Sequence, residues 1–190
     1  FANRTHEIIP IQGCAIQDIK SIQIAKYVVD AIKKFNLSVY DEKTGEGLMR
    51  HVVVKAAKSL EEYMVILVVN ANELPHAKEI ARSLVGVCHS IVSVVVNVNM
   101  KNTNVILGDK NITVYGRDYI TDRLGDYFFK ISPLSFYQVN PVQAEALYNY
   151  AIEAAEITKD DIVFDLYCGI GTISIFMANS AKEVYGVEIV

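Results

Sequence analysis

The chain of 190 residues has no tryptophan, four prolines, ten glycines and three cysteines. So little glycine and proline excludes collagen-like and low-complexity architectures. Cys14, Cys88 and Cys168 are odd in number and far apart, which excludes a disulfide framework. With no leader-like segment at its start, the chain is expected in a reducing, cytoplasmic setting. No apolar run approaches the ~20 residues of a membrane span; Met64–Val69 and Ile91–Val98 are strand-sized. Positive charge is not in excess either: 18 Lys/Arg against 22 Asp/Glu leave a net charge of -4, which excludes a histone-like polyanion binder. The imbalance is uneven. Residues 1–130 hold 16 Lys/Arg and 14 Asp/Glu, whereas residues 131–190 hold 2 and 8, so a polyanion would meet the first part.

What is present is apolar: 52% hydrophobic against 21% charged residues, enough for a sizeable core. Phe1 in place of an initiator methionine, and an apolar run that stops at Val190, suggest a piece of a longer protein. Ile19, Ile22, Ala25, Val28, Val29, Ile32 and Phe35 recur at helical spacing and predict a helix over Gln17–Phe35. His51–Ala57 and Tyr63–Asn70 read as a strand pair, and Leu74–Val85 as a helix with Pro75 in its first turn. Ser90–Met100 alternates, with Val92, Val94, Val96, Val98 and Met100 on one face and Ser93, Asn97 and Asn99 mostly on the other. Val105–Leu107 and Ile112–Tyr115 flank Gly-Asp-Lys-Asn, a hairpin signal, and Arg117–Thr121 and Tyr127–Ile131 flank Leu-Gly-Asp, a second. Residues 1–131 thus predict a central α+β domain with a mostly antiparallel sheet.

After Pro133 the pattern changes. Ala146, Leu147, Tyr150 and Ala154 give Val142–Ile157 a helical period, Ile162–Leu166 reads as a short buried strand, and Ile173–Ser180 as a helix before a strand over Glu183–Val190. Strand, glycine loop, helix and strand make the first βαβ unit of a doubly wound α/β fold, incomplete at two strands, over residues 132–190.

The chemistry sits in Asp165-Leu-Tyr-Cys-Gly-Ile-Gly-Thr172. A strand ending in a carboxylate and then Gly169-x-Gly171 brings bare backbone amides to a ligand at a helix start. Glu188, at the end of the next strand, suits the two hydroxyls of a ribose. The third glycine of a dinucleotide fingerprint would fall on Ser174. Asp165 would repel a pyrophosphate but tolerates a sulfonium. S-adenosylmethionine is the favoured ligand; an NAD-like cofactor and a packing-only loop are the alternatives.

Ser135-Phe-Tyr-Gln-Val-Asn140, the Asp165–Thr172 loop and Val184-Tyr-Gly-Val-Glu-Ile189 together resemble the RNA uracil-5-methyltransferase family. Thr5-His6-Glu7-Ile8 and Cys14-Ala-Ile-Gln17 resemble the family segment that leads into its central domain. The resemblance spans essentially the whole chain, and its Phe-x-Gln-Val-Asn element is more specific than the glycine loop. It implies an S-adenosylmethionine-dependent, Rossmann-like enzyme that methylates carbon 5 of a uridine, with cofactor contacts at Gln138, Tyr167, Thr172 and Glu188. Relatives commonly carry Asn where this chain has Thr172, so a backbone contact is expected there. Taken alone, Gln138 would read as a loop amide tying down a turn.

The resemblance further implies that the nucleophilic cysteine and the base glutamate lie beyond Val190, so no catalytic residue is assigned within the chain. Cys14 falls on the position of one ligand of a [4Fe–4S] cluster in cluster-bearing relatives, which needs about four thiolates. It is therefore expected to be a cluster ligand in the parent and a bare thiol here. Cys14 also leans the substrate towards 23S rRNA. A tRNA uridine methyltransferase and a non-catalytic RNA-docking or folding module are the alternatives. The isolated chain is expected to bind S-adenosylmethionine weakly, because two strands leave the loop poorly pre-organised. Cys168, despite its helix-start position, is not expected to be the nucleophile: the loop walls the methyl donor, whereas a thiolate must reach carbon 6 of the base from the opposite face. His6, His51, His76 and His89 show no ligand spacing, Cys88 reads as a small buried hydrophobe, and Arg50, Lys55 and Lys58 read as a solvated strand edge before RNA contacts.

Overall fold

A computed structural model describes residue 9 and residues 13–189. The Thr5–Ile8 part of the resemblance and Val190 lie outside the described residues.

Helix α1 (Ile19–Lys34) starts where the Asp18 carboxylate accepts from the Ser21 amide at 2.8 Å, and Lys33 and Lys34 complement its C-terminal dipole. It buries Ile24, Val28 and Ala31 along one face. Strands β1 (Met49–Ala57) and β2 (Glu62–Val69) pair antiparallel. Helix α2 (Ala77–Val87) then crosses back, so that β3 (Ile91–Val98) lies parallel to β2. Strand β4 (Lys110–Gly116) pairs antiparallel with β3, giving the order β1-β2-β3-β4.

The sheet is buried on both faces, and this places the rest of the molecule. Val65, Leu67, Val69, Val94 and Val96 face the two helices and meet Ile24, Val28, Ile80 and Leu84. Met64, Ile66, Val68 and Val95 face the opposite way, against Ile120 and Ile131 of a hairpin, β5 (Ile120–Leu124) and β6 (Tyr127–Ile131). The hairpin is shared: its Leu124 and Phe129 pack with Ala144 and Tyr148 of α3 (Pro141–Ala154) and Phe176 of α4 (Thr172–Ala178). Full burial of a side chain of this size stabilises by about 1.5–3 kcal/mol. One two-stranded element therefore joins the central sheet to the glycine-loop unit, whose strands β7 (Ile162–Asp165) and β8 (Glu183–Gly186) run parallel.

Several expectations are corrected. No strand forms over 105–107, and the first hairpin is absent. Instead, the Asn99 amide donates to the Val105 and Ile106 carbonyls and the Asn97 amide to Gly108, holding residues 105–108 as a loop. Ser93, Asn97 and Asn99 are buried, since β3 is an inner strand; the two asparagine side chains are used internally, while the Ser93 hydroxyl makes no hydrogen bond among the described residues. Helix α2 begins at Ala77 rather than Leu74, since His76 caps it in a left-handed conformation and Pro75 precedes the cap. The apolar face of α3 that points inward carries Ala144 and Tyr148; Leu147 and Tyr150 are exposed. Strand β7 is not buried, as Ile162 and Phe164 are exposed. Cys88 is the buried small side chain that its position suggested. Arg50 and Lys55 are half-buried and bound within the protein rather than free at a solvated edge: the Arg50 guanidinium bonds the Asn99 and Lys101 carbonyls, and Lys55 bonds two others described below, while Lys58 is exposed as expected.

Candidate functional site

The end of β7 is fastened to the chain after β8 by main-chain bonds, Val187 N to Asp165 O at 2.8 Å and Cys168 N to Val187 O at 3.1 Å. Between these ties the loop turns through Gly169 (φ 53°) and Gly171 (φ 79°), both in the left-handed region that glycine enters without a Cβ penalty. A Cβ at Gly169 would meet nothing within 4 Å. Backbone angle, not crowding, demands glycine there, and the loop stays open to an incoming ligand. Gly186 is different: a Cβ there would lie 2.9 Å from the Cys168 sulfur, so the missing side chain makes room for that thiol.

Two carboxylates flank the loop. Asp165 accepts from the Ser174 hydroxyl at 2.5 Å, with the Tyr167 amide 3.4 Å from its other oxygen. Glu188 accepts from the Gly169 amide at 2.8 Å through one oxygen and from the Ile189 amide at 2.8 Å through the other. Glu188 lies just past β8, which ends at Gly186 rather than running on to Val190. Ser174 is the residue that sequence reasoning undervalued. Where a third glycine would stand in a dinucleotide fingerprint, its hydroxyl reaches back to orient Asp165; the signal was a hydroxyl in the first turn after a strand-end carboxylate.

The structure thus gathers Asp165, Tyr167, Gly169, Gly171, Thr172 and Glu188 around one loop. Tyr167 is 89% exposed, its ring free to lie against a ligand. The Thr172 hydroxyl is 3.1 Å from that of Tyr148, so its side chain is engaged within the protein. Gln138 is exposed on the extended segment between β6 and α3; its neighbour Tyr137 packs beside Ile170 of the loop against the same two apolar clusters. Cys14 lies in the turn ahead of α1 with a free thiol. Among the described residues no three His, Cys, Asp or Glu side chains come together as a metal site. Nor, among them, is any helix long and apolar enough to cross a membrane.

Known proteins match along the whole length. Residues 49–190 match the model of the tRNA (uracil-5-)-methyltransferase family. An uncharacterized RNA methyltransferase of Clostridium tetani is 46% identical over all 190 residues, and one of Staphylococcus aureus is 43% identical. The chain spans 41% and 42% of these two relatives' own lengths. Among solved structures, the Pyrococcus abyssi tRNA (uracil-54, C5)-methyltransferase in complex with S-adenosyl-L-homocysteine superposes with a TM-score of 0.77 at 26% identity, covering 96% of this chain and 43% of that one. The mixed architecture is accordingly part of a methyltransferase fold. With the family model matched over residues 49–190, the chain belongs to the tRNA (uracil-5-)-methyltransferase family.

Proposed function

We propose that this chain is the cofactor-holding part of an S-adenosylmethionine-dependent enzyme that methylates carbon 5 of a uridine in RNA. The observation that carries the reading is the pair of carboxylates on the glycine loop, Asp165 and Glu188. A pyrophosphate brought to these amides would meet the Asp165 charge within a few ångströms, costing about 1–4 kcal/mol at surface-like screening. A cation is welcome there, and a ribose can exchange its hydroxyls for the loop amide that Glu188 now holds. That the Pyrococcus relative is seen with S-adenosyl-L-homocysteine supports the same choice over NAD.

In this reading S-adenosylmethionine supplies an electrophilic methyl group. Glu188 accepts from the ribose, and Tyr167 covers one side of the ligand. The Gly169 and Gly171 backbone allows close approach, while Asp165, held by Ser174, offers its charge to the cationic end. Gln138 presents a donor and an acceptor from across the loop. Thr172 contributes through its backbone, since its hydroxyl is used by Tyr148. Cys168 directs its sulfur towards Gly186 and serves packing; the resemblance implies that the thiolate that adds to carbon 6 and the base that removes the carbon-5 proton lie beyond Val190.

The RNA is read as 23S rRNA, in a cytoplasmic setting, with Cys14 as a cluster ligand where further cysteines accompany it. A tRNA target is the second reading, favoured by the tRNA specificity in the Pyrococcus relative's name. Transfer of labelled methyl from S-adenosylmethionine to 23S rRNA and tRNA transcripts, by a protein carrying this chain at its relatives' full length, tests both. Label recovered as 5-methyluridine in the ribosomal transcript is the expected result. Label in tRNA alone selects the second reading, and label in neither rejects the function.

A further inference from the structure

The segment from Ser132 to Asn140 has no regular secondary structure, yet two strands approach it, β1 of the central sheet and β5 of the hairpin. The grip comes from Lys55. It stands in β1 on the sheet face where its neighbours Val53 and Ala57 pack, and its ammonium donates to the main-chain oxygens of Ser132 at 2.9 Å and Ser135 at 2.6 Å. The same two serines bond each other, hydroxyl to hydroxyl at 2.8 Å and each amide to the other's hydroxyl at 3.2 Å. The turn so closed presents both carbonyls to one cation. Hydrogen bonds to an ionised donor are about twice as strong as neutral ones. A lysine on an edge strand can reach water; this one exchanges its hydration for a loop.

From β5 comes Asp122. This carboxylate is 0% exposed and accepts from the Ser59 amide and hydroxyl through one oxygen. Its other oxygen and the Tyr137 hydroxyl are both buried, and neither makes a hydrogen bond among the described residues. After burial itself, the Asp122 charge is the main cause that holds the Tyr137 hydroxyl above its ordinary pKa, so the two groups lie in each other's field, short of hydrogen-bond geometry. A buried donor and acceptor left unpaired side by side are each costly, and a small closure would satisfy both.

After Tyr137 the segment is fixed next where Asn140 caps α3, accepting from the Gln143 amide at 3.2 Å. Phe136, Gln138, Val139 and Asn140 are exposed, and Tyr137 alone of that run turns inward. Burial of its own side chain therefore does not place Gln138; the anchor ahead of it and the Asn140 cap behind it do. We propose that Lys55 is a positioning residue for the cofactor, holding the Ser132–Asn140 segment so that Gln138 meets S-adenosylmethionine beside the glycine loop. This rests on the reading of Gln138 as a cofactor contact.

The test uses the full-length protein, S-adenosylhomocysteine calorimetry and hydrogen exchange. Lys55→Met is expected to weaken binding about tenfold and Lys55→Arg less than twofold. Lys55→Met/Gln138→Ala should bind no more than twofold weaker than Gln138→Ala, because a residue acting through Gln138 has nothing left to place. Amides of residues 136–139 should exchange at least tenfold faster in Lys55→Met, with those of Leu67 and Val95 unchanged. Wild-type affinity in Lys55→Met, or losses that multiply in the double variant, overturns the proposal. Should Gln138→Ala bind normally, the cofactor reading of Gln138 is what fails. Exchange then decides the positioning role: faster amides over 136–139 sustain it, and unchanged ones overturn it.

Discussion

Strands β2 and β7 are both short apolar runs next to a helix, yet they end in different environments. Every residue of β2 from Tyr63 to Val69 is buried, with neighbours on both edges and cover on both faces. In β7, Ile162 is 51% and Phe164 63% exposed, and the Phe164 ring stacks on Tyr185 of β8 at 5.3 Å on the open side. The central sheet is stabilised by apolar burial. The glycine-loop unit is held by main-chain ties around Asp165, by two carboxylates that accept from nearby amides and hydroxyls, and by the β5–β6 hairpin beneath α3 and α4. A ligand loop built this way opens at lower cost than a core strand, because local opening exposes little apolar surface.

The sharpest way to break the comparison is to truncate one apolar side chain to alanine in each strand. Leu67→Ala, in the two-faced core, should cost about 2–5 kcal/mol by urea denaturation. Phe164→Ala should cost less than about 1 kcal/mol, since the ring is already largely in water. Equal losses would mean that β7 is as well covered as β2.

Glycine replacements separate packing from function. At Gly116 (φ 69°) a Cβ would lie 1.9 Å from the Val92 carbonyl oxygen, and Gly116→Ala is expected to cost at least ~2 kcal/mol. Gly169→Ala has open space and suffers only the left-handed backbone, about 1–2 kcal/mol. Its larger effect should appear as lost S-adenosylhomocysteine binding. Calorimetry that finds normal binding in Gly169→Ala would remove the loop from the site.

A smaller effect distinguishes the junction. Burial pushes the Lys55 ammonium down to about 8, and the two carbonyls that accept from it oppose that shift. Between pH 8 and the ordinary lysine value the unfolded chain keeps a proton that the folded one has released, so stability should rise with pH across that window. The neutral amine still has a hydrogen for each carbonyl. The difference between wild type and Lys55→Met, measured at pH 7 and pH 9.5, should show this slope; a flat difference would place the ammonium in water.

Least in size is the cap of α1. Asp18→Ala should cost about 1 kcal/mol in thermal denaturation through loss of the Ser21 contacts. The Asp18 carboxyl sits below its ordinary value although burial opposes this, because the Ser21 amide and hydroxyl and the Tyr63 hydroxyl favour its charge. The cap's contribution should therefore fade as acid protonates it, and an Asp18→Ala difference that persists undiminished in acid would contradict this.

Local order was legible from sequence wherever one stretch carried its own period or turn chemistry. The helix that became α1, the β1–β2 pair, the Leu124-Gly125-Asp126 turn of the second hairpin and the strand–glycine loop–helix order all follow from spacing within a dozen residues, because helix and strand periods and glycine's access to positive φ are short-range physics. The same period misled at α3, where Leu147 and Tyr150 repeat correctly but face outward, and at 105–107, where two asparagines on β3 claimed the backbone that a hairpin would have used. Tertiary structure alone decided those cases, along with the parallel placement of β3, the burial of its polar face and the closing of Ser174 on Asp165. It also turned Lys55 from a surface charge into the anchor of a loop 77 and 80 residues away. Partners that distant leave no mark in a local pattern: a lysine in a strand reads as solvated until the fold brings two carbonyls to it.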